Sequence, residues 1–131
     1  MKRVIPGLPM QLPVFAAPMF LISGPDLVLA ACKAGIIGAF PTPNARPIDV
    51  LESWMKQITE GLAQARDTQG ADTVGPWCAN LVTHSSNTRL PEDLELIARY
   101  KPPIVVTALG SPKPAIPIVQ AYGGLVFADV T

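Results

Sequence analysis

Five short, uninterrupted apolar runs, separated by stretches with helical patterning, limit what this chain can fold into more than any other feature. The runs occupy residues 12–17, 36–40, 77–81, 104–107 and 125–128. Continuously apolar strands are typical of parallel sheets that are covered on both faces. The alternation of strand and helix therefore predicts an α/β fold, which is either a doubly wound sheet or a piece of a (β/α)8 barrel.

The first segment between these runs carries several helix signals. Ser23 and Asp26 have the spacing of a capping box, and Pro25 suits a first helical turn. The sequence therefore predicts a helix that begins at Asp26 and stops before Gly35.

The clearest helix begins at Pro47 and ends at Gly70. Its apolar residues recur at three- and four-residue spacing and are predicted to form a core face: Leu51, Trp54, Met55, Ile58 and Leu62. Another helix opens at Pro91, and its acidic residues lie where the helix dipole favours negative charge: Glu92, Asp93 and Glu95. A short helix interrupted by prolines ends at Gly123.

Composition excludes several classes of function. The 131 residues include 15% charged side chains, have a formal net charge of +0 and contain no basic run. These properties argue against disorder, a nucleic-acid footprint and a polybasic membrane patch, so we expect neither nucleic acid nor a membrane as a partner. Lys2 and Arg3 precede an uncharged stretch that imitates a secretory signal. Prolines at positions 6, 9, 13 and 18 break that stretch, so we expect a cytoplasmic protein.

The two cysteines, Cys32 and Cys78, are too few for a disulfide framework. Neither has a second cysteine or a histidine at metal-ligand spacing. We therefore expect two buried free thiols in a reducing compartment and no metal site.

Polar and glycine residues follow the apolar runs, where parallel α/β folds place their chemistry. The set comprises residues 17–19, residues 41–43, Asn80, Thr83, His84, residues 107–112, Asp129 and Thr131. No GxGxxG motif follows the first run, and the chain contains neither a P-loop nor a GxSxG motif. These absences argue against a dinucleotide-binding Rossmann site, a nucleotide-binding P-loop and a hydrolase with a nucleophile elbow.

Six segments in this order resemble one family. They are Phe15-Ala16-Ala17-Pro18-Met19, Ser23-Gly24-Pro25-Asp26-Leu27, Ala34-Gly35-Ile36-Ile37-Gly38-Ala39-Phe40, Trp77-Cys78-Ala79-Asn80-Leu81, Thr107-Ala108-Leu109-Gly110-Ser111-Pro112 and Gly124-Leu125-Val126-Phe127-Ala128-Asp129-Val130-Thr131. Together they resemble the nitronate monooxygenases, formerly called 2-nitropropane dioxygenases, over nearly the whole chain.

The resemblance implies an FMN-dependent TIM barrel that oxidises alkyl nitronates, as small-molecule substrates, with dioxygen. By position, Ala17, Pro18 and Met19 match the segment that lies against the flavin ring, and Asn80 matches an asparagine that contacts FMN. Asp129 falls where many members place a lysine or a glutamine near the flavin, and this negative charge is a departure. The barrel is shared with flavin-dependent enoyl reductases, so the alternative is an enoyl reductase relative that needs a nicotinamide donor.

The resemblance also shows what this sequence lacks. The family's catalytic histidine lies in a Gly-Gly-His-type stretch after the sixth strand, and no such stretch is present. His84 is the only histidine and a weak catalytic candidate, because it does not match that position. A (β/α)8 barrel has eight strands and about 250 residues. We therefore expect residues 1–131 to form the N-terminal portion, about five βα units, of an FMN-dependent TIM-barrel domain, inactive by itself.

Open barrel edges would have further consequences. They would favour a homo-oligomer or a complementing chain, and a non-catalytic half-barrel that serves only in assembly is a further alternative. At the residue level, Asn80 could instead satisfy loop backbone, and Gly110-Ser111 could bind an anion or simply form a tight turn. We expect Trp77 to pack in the core rather than line a flavin pocket.

Overall fold

The computed structural model describes Ile5 and residues 7–130. Lys2, Arg3 and Pro6 of the signal-like stretch, and Thr131 of the last apolar segment, lie outside the described residues. The strands are β1 (Phe15–Ala16), β2 (Ile37–Pro41), β3 (Trp77–Val82), β4 (Ile104–Ala108) and β5 (Leu125–Ala128). The α-helices are α1 (Pro25–Lys33), α2 (Ile48–Gln69), α3 (Leu90–Tyr100) and α4 (Ile116–Ala121). Short 3₁₀ helices occupy Thr42–Asn44 and Ala71–Thr73.

The five strands form one parallel sheet in the order β1-β2-β3-β4-β5. In a flat sheet, β1 and β5 would lie about 19 Å apart, which is four strand spacings of about 4.8 Å. The ring centroids of Phe15 in β1 and Phe127 in β5 are nevertheless only 5.9 Å apart. The sheet is therefore strongly curled, and this curvature together with the sequential strand order selects the barrel over the doubly wound alternative.

The concave face of the sheet carries a small apolar cluster that contains the inward residues of neighbouring strands. Ile37, Ala39, Cys78 and Ile104 are buried there, and Met10 from the segment before β1 packs onto them. Met10 is only 1% exposed, so this preceding segment closes the amino end of the concave face.

The convex face carries the larger core, which the helices cover. Phe40 of β2 stacks on Trp77 of β3 with ring centroids 6.4 Å apart, and Trp54 of α2 meets Phe40 edge-on at 5.8 Å. Trp77 is 3% exposed and belongs to this helix-side core, which confirms the prediction that it packs. The predicted face of α2 is likewise confirmed, because these residues are buried: Leu51, Met55, Ile58 and Leu62.

The first strand is shorter than the sequence predicts. Residues 12–17 were expected to form a buried strand, but Leu12 and Val14 are 59% and 47% exposed. Only Phe15 and Ala16 pair with β2. Pro13 cannot donate a ladder hydrogen bond, and the Val14 N–H donates to the Leu12 carbonyl at 2.8 Å, so a local turn replaces the first half of the expected strand.

The predicted capping box at the start of α1 is wrong. Gly24 is the N-cap residue, and no side chain caps the helix. The Ser23 hydroxyl instead accepts the Met19 N–H at 2.9 Å, so it serves the turn that precedes the helix. Pro25 does begin the helix, and Gly35 follows its end with φ +89°, a conformation that favours glycine.

Among the described residues, no helix is long and apolar enough to cross a membrane.

Candidate active site

A cavity of about 510 Å³ opens on the concave side at the carboxyl ends of the strands. Its lining residues come from β1, β3, β4, β5 and the turns that follow β1 and β5: Phe15, Ala17, Pro18, Asn80, Val106, Ala108, Phe127, Ala128 and Asp129. The volume lies within the usual range for small-molecule sites, and most of the lining is apolar with few polar groups. The fold therefore places a cavity of ligand size where (β/α)8 barrels carry their chemistry.

Four of the five residues that the resemblance assigns to the flavin line this one cavity: Ala17, Pro18, Asn80 and Asp129. They come from three separate segments of the chain, so only the fold brings them together. Met19 is the exception, because it is 43% exposed and lies in the turn beyond the lining.

Asn80 supplies the polar side chain nearest the middle of the sheet. It is half-buried on β3, and its Nδ2 donates to the carbonyl of Val106 at 3.0 Å. This bond fixes the amide plane, while Oδ1 makes no hydrogen bond within the described part of the chain. The side chain thus satisfies neighbouring backbone and still keeps an acceptor for a ligand.

The turn between β1 and α1, residues 17–23, follows the cavity wall directly. The Ser23 hydroxyl accepts the Met19 N–H at 2.9 Å, and Ser23 is 1% exposed. Asn44 also holds this turn: its Oδ1 accepts the Leu21 N–H at 2.8 Å, and its Nδ2 donates to the carbonyls of Met19 and Ser23 at 3.0 and 2.8 Å. Leu21 has φ +65°, so the turn includes a left-handed residue other than glycine.

Asp129 is the only ionisable residue among the cavity-lining residues. Its side chain is exposed, and its N–H donates to the Thr107 carbonyl at 2.8 Å, which extends the β4–β5 ladder by one residue. The negative charge by which this chain differs from the nitronate monooxygenases that it resembles therefore lies at the cavity rim.

His84 lies on the loop between β3 and α3 and is exposed. Its Nδ1 accepts the Ser86 N–H at 3.1 Å and lies 2.8 Å from the Ser86 hydroxyl. Because a backbone N–H can only donate, the neutral ring carries its proton on Nε2. His84 is not among the cavity-lining residues, and a catalytic role for it stays a prediction.

Sequence reasoning missed the network around Arg89. The guanidinium donates to the carbonyls of Thr42, Ala45 and Arg46, and its Nε pairs with Asp93 Oδ1 at 2.7 Å. Asn87 adds a 3.3 Å hydrogen bond to Asp93 Oδ2. Asp93 is 1% exposed, so helix-dipole placement does not fully explain it, contrary to the sequence interpretation.

Burial raises the pKa of the Asp93 carboxyl, and the Asn87 hydrogen bond and the Arg89 charge oppose this shift. The network joins the loop after β3 to the loop after β2. In the sequence, the pair could be recognised only from an Arg and an Asp four residues apart at a helix start. That spacing does not reveal that the Arg also reaches three backbone carbonyls in the loop after β2.

Two other regions carry less chemistry. A smaller cavity of about 260 Å³ opens between Gly7, Lys101 and Tyr122 at the amino end of the strands, opposite the end that such barrels use. The Gly110-Ser111 segment makes a turn in which the Ser111 hydroxyl accepts the Lys113 N–H at 3.2 Å. Within the described residues, no cluster of three or more His, Cys, Asp or Glu side chains could hold a metal ion.

The residues around the cavity fit one face of a flavin ring. Ala17 and Pro18 present little side-chain bulk, the aromatic and aliphatic lining suits a flat ring, and Asn80 keeps a free acceptor. The phosphate sites of such barrels are built after strands seven and eight, whereas the sheet described here has five strands. The fit therefore concerns the ring and not the phosphate.

The sheet order, the curvature and the cavity define part of a (β/α)8 barrel with a ligand cavity at its carboxyl end. No protein-family model matches the sequence, and no curated protein matches it. Among solved structures, the chain is similar to FabK from Thermotoga maritima, with a TM-score of 0.73 and 20% sequence identity. The similarity covers 93% of this chain and 35% of the FabK chain, so the protein described here has the fold of about a third of that structure.

Proposed function

We propose that this chain forms the flavin-ring side of an FMN-dependent oxidoreductase, with nitronate oxidation by dioxygen as its reaction. The observation that carries the proposal is the convergence of Ala17, Pro18, Asn80 and Asp129 on one cavity at the carboxyl ends of the strands. These are the positions that the resemblance to nitronate monooxygenases assigns to the cofactor. The similarity to FabK supports the barrel, and the activity rests on the cavity and the resemblance.

In this proposal each residue has a binding task. Asn80 holds the ring edge through Oδ1, while the Val106 carbonyl keeps the amide plane in place through Nδ2. Ala17 and Pro18 let the flat ring approach the main chain closely, and Phe127 contributes apolar surface that excludes water. A bound flavin would supply the electron transfer between substrate and dioxygen, and the residues of this chain would contribute orientation and hydrogen bonds.

The direct test uses two ligands, FMN and lumiflavin, which is the ring system without the ribityl phosphate. We expect lumiflavin to bind the purified chain with quenched fluorescence and FMN to bind no more than modestly better, because the described residues offer a ring cavity and no phosphate site. Replacing Asn80 with alanine removes one hydrogen bond to the ring and should weaken binding roughly fivefold to tenfold.

Gln57→Ala, a change on the exposed face of α2, is the matched control and should leave binding unchanged. Equal affinities for Asn80→Ala and Gln57→Ala would contradict the role of the cavity. Absence of any flavin binding would contradict the proposal for this chain.

Catalysis is expected to need more than these residues. The family's catalytic histidine stretch is not present, and His84 does not line the cavity. We therefore expect the isolated chain to show no nitronate-dependent oxygen uptake above free FMN. Uptake that disappears in His84→Ala would reverse this expectation and give that histidine a catalytic role.

The second candidate is a relative of the flavin-dependent enoyl reductases, and the similarity to FabK is the observation that favours it. The two candidates differ in their electron donor. In a longer protein that contains this segment, consumption of NADH or NADPH with an enoyl substrate would favour the reductase, and nitronate-dependent oxygen uptake without nicotinamide would favour the monooxygenase. A stable oligomer that binds no flavin would instead favour a non-catalytic assembly module.

A further inference from the structure

We propose that Asn44 is a positioning residue that sets where the Ala17–Pro18 side of the cavity lies, an inference that rests on the proposed flavin site. Nothing in its sequence context singles out Asn44, which follows the β2 apolar run in a Pro-rich turn. The structure gives it three hydrogen bonds to a segment 21 to 25 residues away in the chain.

The need for such an anchor follows from the shortness of β1. Only Phe15 and Ala16 pair with β2, so the sheet ladder stops just before Ala17 and Pro18 of the cavity wall. Pro18 has no N–H to donate, and Ala17 is exposed. The position of these two residues therefore depends on what holds the chain immediately after them.

Met19 is held at both of its backbone polar groups. Its N–H donates to the Ser23 hydroxyl at 2.9 Å. Its carbonyl accepts from Asn44 Nδ2 at 3.0 Å and from the N–H groups of Ile22 and Ser23 at 3.2 and 3.0 Å. The remaining bonds of Asn44, to the Leu21 N–H and the Ser23 carbonyl, use its Oδ1 and the second Nδ2 hydrogen. We name these three bonds, together with the Ser23–Met19 bond, the Asn44 clamp.

The clamp also holds an apolar turn in water. Phe20, Leu21 and Ile22 are 61%, 69% and 71% exposed, and Leu21 has a left-handed backbone. Neither burial nor intrinsic preference holds these residues in place, because apolar side chains lose little by moving within solvent. Two backbone hydrogen bonds, from the Ile22 and Ser23 N–H groups to the Met19 carbonyl, shape the turn, and the bonds of Asn44 tie it to the loop after β2.

Asn44 is itself fixed from the other side. The Arg89 guanidinium donates to the carbonyls of Thr42, Ala45 and Arg46, which flank Asn44 on both sides. The hydrogen bonds of Arg89 and Asn44 thus connect the loop after β3, the loop after β2 and the turn after β1. Pre-organised support of this kind matters because a displacement of about 1 Å at a binding group can cost a large factor in function.

The test compares Asn44→Ala with Gln69→Ala. Gln69 is a matched amide, because its Nε2 bridges to the Lys33 carbonyl at 2.9 Å and to Thr73 Oγ1 at 3.2 Å at the opposite end of the sheet. We expect Asn44→Ala to weaken lumiflavin binding roughly tenfold and to change the visible circular dichroism of the bound flavin. Gln69→Ala should leave lumiflavin binding and the circular dichroism unchanged. Its loss of stability in urea should be comparable to that of Asn44→Ala.

Two further variants keep the inference falsifiable if Asn44→Ala folds poorly. Asn44→Asp keeps an acceptor for Leu21 but turns a carboxylate oxygen toward two carbonyls, and Ser23→Ala removes the acceptor for Met19. Both should move flavin binding in the same direction as Asn44→Ala. Equal flavin affinity and spectra in all three variants and in Gln69→Ala would overturn the inference.

Amide hydrogen exchange separates failure of this inference from failure of the proposed function. If the wild-type chain binds no flavin, the proposed function fails for this chain. Amide exchange over residues 15–23 then tests whether the Asn44 clamp restrains the turn. Faster exchange there in Asn44→Ala, with no change in Gln69→Ala, supports the clamp. Unchanged exchange overturns it.

Discussion

Asn44 and Asn80 use the same amide group in two different ways. All three side-chain hydrogen bonds of Asn44 are to the backbone of the β1–α1 turn, so Asn44 positions the main chain. Asn80, at the cavity, donates one hydrogen bond to the Val106 carbonyl, and its Oδ1 has no partner among the described residues. An asparagine whose donors and acceptor are all paired can only support the backbone, whereas one with an unpaired acceptor can also bind a ligand.

The charge of Asp129 makes a prediction about flavin binding. Replacing it with asparagine removes the only ionisable group that lines the cavity. We expect FMN to bind the Asp129→Asn chain up to about fivefold more tightly, because an exposed charge acts weakly through solvent on an anionic ligand. Titration at low and high salt measures this, and the gain should shrink as salt screens the charge.

A neutral ligand provides the control for that prediction. Lumiflavin lacks the phosphate, so its affinity should change less than that of FMN. An equal gain for both ligands, or weaker FMN binding, would contradict the electrostatic explanation.

The two cysteines provide a prediction about reactivity. Burial raises the pKa of Cys32 to about 11 and that of Cys78 to about 12. Because the thiolate is the reactive form, neither should react with an aromatic disulfide reagent at pH 8 in the folded chain, and both should react in denaturant. A fast-reacting thiol in native buffer would contradict the burial of these side chains.

The same shifts set the sign of a pH effect. Each pKa is raised above the ordinary thiol value of 9.0, so above pH 9 the unfolded chain loses thiol protons that the folded chain keeps. The thiol contribution to the free energy of unfolding is therefore complete below pH 9 and is lost as pH rises through about 11 and 12.

At the scale of elements, the loops after β2 and β3 act as one unit. Arg89 at the N-cap of α3 reaches three carbonyls around the 3₁₀ helix Thr42–Asn44, and Asp93 in the first turn of α3 orients it. A helix start thereby fixes the neighbouring loop as well as its own. These loops border the end of the sheet that holds the cavity, so their rigidity belongs to the site.

Removing Asp93 should disrupt this unit. In Asp93→Ala the largely buried Arg89, with 18% side-chain exposure, keeps its charge without its counterion. We expect a loss of about 3 kcal/mol in the free energy of unfolding, measured by urea denaturation. Asp67→Ala on α2, where no comparable network exists among the described residues, is the control and should change stability by less than about 0.5 kcal/mol. Equal small losses in both variants would show that the Arg89 network contributes little.

At the scale of the whole molecule, the curled sheet is the dominant feature. The contact between Phe15 and Phe127 joins the two outermost strands of the described sheet across its concave face. Strands four apart lie on opposite sides of an eight-stranded barrel, so the curvature already matches that barrel. Three further strands would fill the gap between β5 and β1.

The open edges predict association of the isolated chain. We expect the 131-residue chain to form concentration-dependent oligomers in sedimentation velocity, because the outer edges of β1 and β5 have no strand partner within the described part of the chain. Val14→Lys should reduce this association, since Val14 is 47% exposed beside β1 and a charge there opposes edge pairing. Gln57→Lys on α2 is the control. A chain that stays monomeric at all concentrations, or equal association in both variants, would contradict edge pairing.

The order of the elements, the parallel sheet and most of the core could be predicted from the sequence. Those properties follow from local patterns: apolar runs, three- and four-residue spacing, and helix stops such as Gly35. Prediction failed where two local interactions compete for the same residue. Ser23 bonds to Met19 instead of capping α1, β1 is reduced to two residues beside Pro13, and Asp93 pairs with Arg89.

The curvature of the sheet and the residues that line the cavity depend on the three-dimensional fold. The sequence left a doubly wound sheet and a barrel open, because both alternate strand and helix. The Phe15–Phe127 contact, between residues more than one hundred positions apart, distinguishes them. The gathering of Pro18, Asn80 and Asp129, and the bonds from Asn44 to the β1–α1 turn, likewise depend on strand register and loop packing. Those are properties of the assembled sheet, because no local segment contains both partners of such a contact.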